Sequence, residues 1–287
     1  MAVDPAVLRA QVEALSTRFG PRDFAHPENL DRAAAYLWDA FRAARLPVRE
    51  QQYEVEGHTF RNLIAGIGPM TPERIIVGAH YDTAGEQPGA DDNASGVAGV
   101  LELARLLRAA PPPLRVELAA WTLEEPPNFR TRRMGSAVHA ARIARERTKI
   151  RLMIAVEMIG TFSDARGSQG YPPVLGLFYP SAGNFIAVVG KWGQGEYVGA
   201  VAEAMRAGSP LPVETLTAPA FVTGVDFSDH LSFWARGYPA VMVSDTAFFR
   251  NPRYHTADDR PETLDYVRMA EVVKGLHCAV QTLARRD

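Results

Sequence analysis

Apolar and polar positions alternate with two different periods along this chain, and the periods trade places repeatedly. Residues Pro5 to Phe19 and Glu28 to Ala44 carry apolar side chains at helical spacing, the second stretch with Leu30, Ala33, Ala34, Leu37, Phe41 and Leu46 near one face. Extended segments are expected at Val48 to Val55 and Asn62 to Gly66, followed by the apolar strand RIIVGA, which ends at His80. A polar loop from Tyr81 to Asn93 leads into the small-residue helix ASGVAGVLELARLLRAA, which three prolines at 111 to 113 close. The strand LRVELAAWT, a helix near Gly135 to Glu146 and the strand IRLMIAVEM come next. Helical patterns at Gln194 to Ala207 and Leu264 to Arg286, with an extended piece at Pro239 to Val243, continue the mixture. Strand and helix in alternation predict an α/β chain, whose ligands gather beyond the carboxyl ends of the strands.

Composition narrows the partners. The chain has 287 residues, 47% of them hydrophobic, which is enough for one sizeable domain spanning 1–287 with the helices of about 5–44 packed on it. A net charge of −2 calls for neither nucleic acid nor an anionic membrane. Apolar runs such as MIAV and FIAVVG fall well short of the roughly 20 residues of a membrane span. The first twenty residues lack the basic start and apolar block of a secretion signal, and the single cysteine, Cys278, allows no internal disulfide. Cys278 is expected to be a buried apolar residue and the cytoplasm the compartment. A small peptide or another small molecule is the expected partner.

Five acidic or histidine clusters stand at expected strand or loop ends. HYDT places His80 and Asp82 on the same side of an extended chain, where the acid can fix the imidazole tautomer. PGADDNASG sets two acids between Gly89 and Gly96, as if backbone were held close to something cationic. Glu124 and Glu125 close a strand as adjacent acids that repel unless compensated, one suited to bind metal and the other to take a proton from water. Glu157 ends an otherwise apolar run, and His255 sits in a polar loop with Asp258 and Asp259. His26, His58, His139 and His277 lack comparable acidic neighbours and read as surface or packing residues. Nitrogen and oxygen donors of this kind suit zinc, and an acid bridging two ions about 3.5–4 Å apart would form a hydrolytic two-metal centre.

The series HYDT, PGADDNASG, EE, VEM and the final His255 resembles the M28 family of zinc aminopeptidases from about residue 60 to 265. That resemblance implies a three-layer αβα sandwich around a mixed, mostly parallel sheet, as in phosphorylase/hydrolase-like zinc exopeptidases. It implies two zinc ions, with other divalent ions such as cobalt or manganese as alternatives. His80 and Glu157 would hold one, Glu125 and His255 the other, and Asp92 would bridge them, leaving Asp91 aside. Glu124 would be the general base and Asp82 the residue that orients His80. The family also implies a cis peptide between Asp92 and Asn93, and an aspartate where this chain has Glu157. Many relatives read EE-x-G-x-x-G-S; here EEPPNFRTRRMGS is longer and could place Phe129, narrow the pocket, or aim Arg130, Arg132 or Arg133 at a substrate carboxylate. Asp229 and His230, in FSDHLSFWARGYPA, are candidates for support beside the metals. The implied activity is amide hydrolysis of small peptides or aminoacyl compounds. A one-zinc glutaminyl cyclase and a non-catalytic binding protein on the same fold are the alternatives.

Overall fold

The computed structural model describes residues 2–285. Its centre is an eight-stranded mixed sheet: β1 (Val48–Val55), β2 (His58–Ile67), β3 (Glu73–His80), β4 (Arg115–Trp121), β5 (Lys149–Glu157), β6 (Ile186–Lys191), β7 (Val213–Ala218) and β8 (Ala240–Ser244). They lie in the order β1-β2-β4-β3-β5-β8-β6-β7. The pairs β3–β4, β3–β5, β5–β8 and β6–β7 are parallel, and β1–β2, β2–β4 and β6–β8 antiparallel. β1 and β2 form a hairpin whose two turn residues, Glu56 and Gly57, both have positive φ, the geometry that matches the twist of the flanking strands.

Helices α1 (Pro5–Glu13), α2 (Pro27–Ala43), α3 (Gly96–Ala109), α5 (Gly195–Gly208) and α7 (Tyr266–Arg285) join the larger apolar core on one face. Asp4 starts α1 by accepting the amide of Ala6, and Pro5 fills a position whose amide has no helical partner. α2 buries Leu30, Ala33, Ala34, Leu37 and Phe41, the stripe expected from its spacing. Helices α4 (Gly135–Arg145) and α6 (His230–Trp234) cover the other face around Trp121, Phe233 and Trp234. The result is the expected layered α/β sandwich. No helix among the described residues is long and apolar enough to cross a membrane.

Several boundaries differ from expectation for local reasons. β2 runs longer than Asn62 to Gly66 because the hairpin extends its pairing to His58. β6 and β7 were not expected as strands. β6 is only six residues long, and β7, at the sheet edge, is fully buried only at its two ends, so neither shows a clean period. The expected helix from Ala94 begins instead with a wide turn at Ala90–Ser95, whose Asp92 and Asn93 have non-helical backbone angles. Cys278 is half-buried rather than buried. Arg286, the expected end of the last helix, lies outside the described residues.

β3 is flanked by β4 on one side and β5 on the other, while the intervening α3 and α4 lie on opposite faces. The chain therefore reverses its winding beside β3, and a crevice opens at the carboxyl ends of these strands. His80, Glu124, Glu125 and Glu157 all stand there, at or just past the ends of β3, β4 and β5.

Candidate metal centre

His80 ends β3 and is fully buried. Its Nε2 lies 3.3 Å from Asp92 Oδ1, 3.3 Å from Glu157 Oε2 and 3.9 Å from Glu124 Oε2. His255 reaches the opposite side of Asp92, with Nε2 3.0 Å from Oδ2 and 3.2 Å from Glu125 Oε1. Asp92 thus offers one oxygen to each histidine. The donors fall into the sets His80–Asp92–Glu157 and Asp92–Glu125–His255, and Glu124 and Glu125 also approach His80.

The donor set suits zinc. Asp92 Oδ1 and His255 Nε2 are buried and close to these neighbours, yet form no hydrogen bond of acceptable geometry. Separations of 3.0–3.3 Å match the edges of about 3.3 Å that follow from tetrahedral bonds of roughly 2.0–2.1 Å.

Electrostatics point the same way. Burial pushes Glu125 up to about 8, reinforced by Asp92 and opposed by His255 and His80. Burial also raises Glu124 well above the usual carboxylate range despite nearby His80, with Glu125 and Glu157 adding to the effect. Glu157 is raised by burial too. Burial disfavours charge on His255, but the close carboxylates of Asp92 and Glu125 outweigh it and lift the ring to about 10. His80 follows the same balance, with Glu157 and Glu124 overcoming burial. Packed carboxylates of this kind repel unless cations relieve them.

The supporting contacts are equally specific. Asp82 accepts the backbone amides of Glu124 at 3.1 Å and Glu125 at 3.0 Å, while its Oδ1 stands 3.5 Å from His80 Nδ1. Its carboxylate therefore holds the acid pair, while its backbone carbonyl accepts from His80 Nδ1 at 3.3 Å. The Asp92–Asn93 peptide is cis. Asn93 donates to Val156 O and Glu157 Oε2 and accepts the amides of Gly96 and Met158. A side chain at Gly96 would collide with Asn93 Oδ1 at 2.2 Å and Val156 O at 2.5 Å, so this glycine makes room for the clamp. Ser228 donates to Glu157 Oε2 at 2.7 Å. Asp91, turned from the donors, accepts from Gly160 N, Thr161 Oγ1 and Asn251 Nδ2. Tyr254 stacks on His255 at 3.7 Å.

Two residues that sequence reasoning missed hold the Asp91–Asp92 turn. Asp259 accepts the amides of both acids, at 2.9 and 3.1 Å. Arg22, fully buried, donates to the carbonyls of Leu15, Tyr81, Pro88 and Gly89. Burial lowers its pKa to about 10, while Asp82, Asp259 and Asp92 pull it back up, so it stays cationic at neutral pH. The cation beside Gly89 is therefore this arginine. Asp259 was visible as an acid near His255, whereas nothing in GPRDF marks Arg22.

Other expectations need correction. His139 and His26 do have acidic neighbours: His139 Nε2 is 3.3 Å from Glu117 and His26 Nδ1 is 2.5 Å from Asp23. His139 also accepts from Trp121 and belongs to the buried packing of the second core. In the long loop, Arg130 binds Asp226 at 2.6 Å and lies over Phe129 and Phe227, and Arg133 binds Glu56. Phe129 packs edge-on against Phe227, which lines an apolar cavity opening beside Glu157, so the loop buttresses the wall of that cavity. Asp229 is buried near His80, Glu157 and Asp82; burial lifts its carboxyl to about 7.

His230 turns away, its Nε2 donating to Val225 O and its ring edge-on to Trp234. Burial lowers its pKa from 6.5 to about 4. Below 6.5 the unfolded chain takes up a proton that the native ring refuses, so this contribution is complete above 6.5 and fades as pH falls toward 4. His230→Gln should flatten that loss by up to about 1.4 kcal/mol per pH unit. Urea midpoints taken across the window measure it, and an unchanged slope would contradict the assignment.

A model of peptidase family M28 matches residues 62–278. The chain belongs to peptidase family M28. Among relatives of this M28 chain, the uncharacterized protein YfbL of Escherichia coli (strain K12) is 44% identical over 281 residues, covering 95% of this chain and 86% of that protein. Among solved structures, BSAP, a zinc aminopeptidase from Bacillus subtilis, superposes with a TM-score of 0.75 at 15% identity, over 96% of this chain and 94% of that one. A glutaminyl cyclase from Bacteroides thetaiotaomicron gives a TM-score of 0.74 at 19% identity, over 98% of each chain. The M28 assignment agrees with the layered sheet and extends the resemblance read from the motifs.

Proposed function

We propose that this M28 chain is an aminopeptidase with two zinc ions, one held by His80 and Glu157, the other by Glu125 and His255, with Asp92 shared. The observation carrying this reading is the placement of Asp92, whose two carboxylate oxygens face different histidines. Zinc in these donors would supply Lewis acidity and draw the pKa of water toward neutrality.

The chain's own groups then move the protons. Glu124, buried and raised in pKa, stands where it can take a proton from the attacking water as its oxygen bonds to the scissile carbonyl carbon. The same carboxyl returns that proton to the departing nitrogen as the carbon–nitrogen bond breaks. Asp82 keeps Glu124 in place through its backbone amide and so acts by positioning. The apolar cavity beside Glu157 is placed to receive the substrate's first side chain.

Metal titration of the chelator-stripped protein is expected to reach two zinc ions per chain, with cleavage of aminoacyl amides that disappears on N-acetylation. One zinc per chain, with ammonia released from N-terminal glutamine peptides, would favour a glutaminyl cyclase instead. The presence of donors for a second ion, Glu125 and His255, supports hydrolysis over that reaction. Cytoplasmic residence belongs to the same proposal and rests on the lone Cys278; cell fractionation tests it.

A further inference from the structure

The sheet register joins the proposed metal centre to a second acid. Glu157 pairs with Ser244, Ser244 with Ala187, and Ala187 with Glu214. Directly opposed residues in adjacent strands share a face, so all four side chains project from the same side of the sheet. Three strand spacings of about 4.8 Å place Glu214 about 14 Å from Glu157, on edge strand β7.

The cavity of about 80 Å³ follows this row, with Glu157 at one end and Glu214 at the other. Its walls are apolar, with Met242 and Leu216 on the sheet and Tyr171 and Phe249 on the loops above it. The Glu214 carboxylate forms no hydrogen bond or ion pair among the described residues, and its charge is felt by the Tyr171 and Tyr179 phenols, which stack at 5.7 Å. The nearby cation, Arg250, does not line the cavity; it packs over the Phe185 ring at 4.5 Å and is engaged with Gln169 and two backbone carbonyls.

A long apolar slot ending in a free carboxylate has a definite complement. We propose that Glu214 makes this cavity select substrates whose N-terminal residue is basic, arginine or lysine, an inference that rests on the aminopeptidase reading. The methylene stem of such a side chain fits the apolar walls while its charged head stays extended. Aromatic faces flank the cation, and Glu214 accepts its hydrogen bonds. A leucine side chain stops short of Glu214 and leaves the far end of the slot unfilled. Glutamate would meet a like charge.

The test uses the zinc-loaded full chain and fluorogenic aminoacyl amides of arginine, lysine, leucine, phenylalanine and glutamate. The arginine and lysine amides are expected to exceed leucine at least about tenfold in kcat/KM, a discrimination within reach of one pocket contact. Glu214→Gln should lower the arginine-to-leucine ratio more than about tenfold, and Glu214→Lys should invert the order of arginine and glutamate. A leucine or phenylalanine preference that survives Glu214→Gln overturns the proposal. Thermal stabilisation by free L-arginine against free L-leucine gives a readout without turnover: the arginine increment should vanish in Glu214→Gln, and an equal increment in both proteins overturns the role of Glu214. If no aminoacyl amide is cleaved at all, the aminopeptidase reading fails, and these binding data still decide what Glu214 does.

Discussion

Glu124→Gln is expected to retain both zinc ions and lose about 10²- to 10⁴-fold in kcat, the range typical of a missing general base. Three observations support it. Glu124 lies against the donors without belonging to the two sets that share Asp92. Its backbone amide is pinned by Asp82, so the amide side chain can occupy the same place. Burial raises its pKa well above the usual carboxylate range, which makes the carboxylate a stronger base toward water. KM should change little if the carboxylate acts mainly in the transition state. Parallel metal analysis and steady-state kinetics decide the matter: near-normal kcat in a fully loaded variant removes Glu124 from the mechanism.

The second large effect is on stability. Arg22→Met should cost at least about 3 kcal/mol, because carbonyls buried around the guanidinium lose their donor and each unpaired group costs about 1–3 kcal/mol. The carbonyls belong to Leu15 at the end of the first helical stretch, Tyr81 just past β3, and Pro88 and Gly89 before the acid turn. The cation is also close to Asp82, Asp92 and Asp259, so its removal adds uncompensated negative charge. Denaturant unfolding should show one cooperative transition at a lower midpoint, together with weaker zinc retention. An unaltered midpoint would mean that Arg22 fills space and nothing more.

The sequence displayed the donors more clearly than the scaffold around them. His80, Glu124, Glu125 and Glu157 were legible because acids and a histidine interrupt apolar strand patterns at their last residues. Asp92 and His255 lie outside the periodic segments; their polar clusters stood out in the sequence, but only the resemblance chose Asp92 over Asp91 and gave each its role, and the fold then brings both within 3.3 Å of their expected neighbours. β6 and β7 were missed because short or edge strands lose the alternation that betrays half-buried ones. The bonds of Arg22 to Tyr81, Pro88 and Gly89, 59 to 67 positions away, and the Glu117–His139 contact join residues far apart in the chain, and no local pattern encodes such meetings.

The position of Glu157 on the final rung of β5 has a consequence for assembly. A slip of one residue against β3 or β8 would turn that side chain into the opposite helical layer, away from His80, Asn93 and Ser228. It would there be a lone anion among the aliphatic side chains of the larger core, an arrangement far too costly to persist. The residue proposed to hold zinc thereby also penalises misthreaded forms of the central strand.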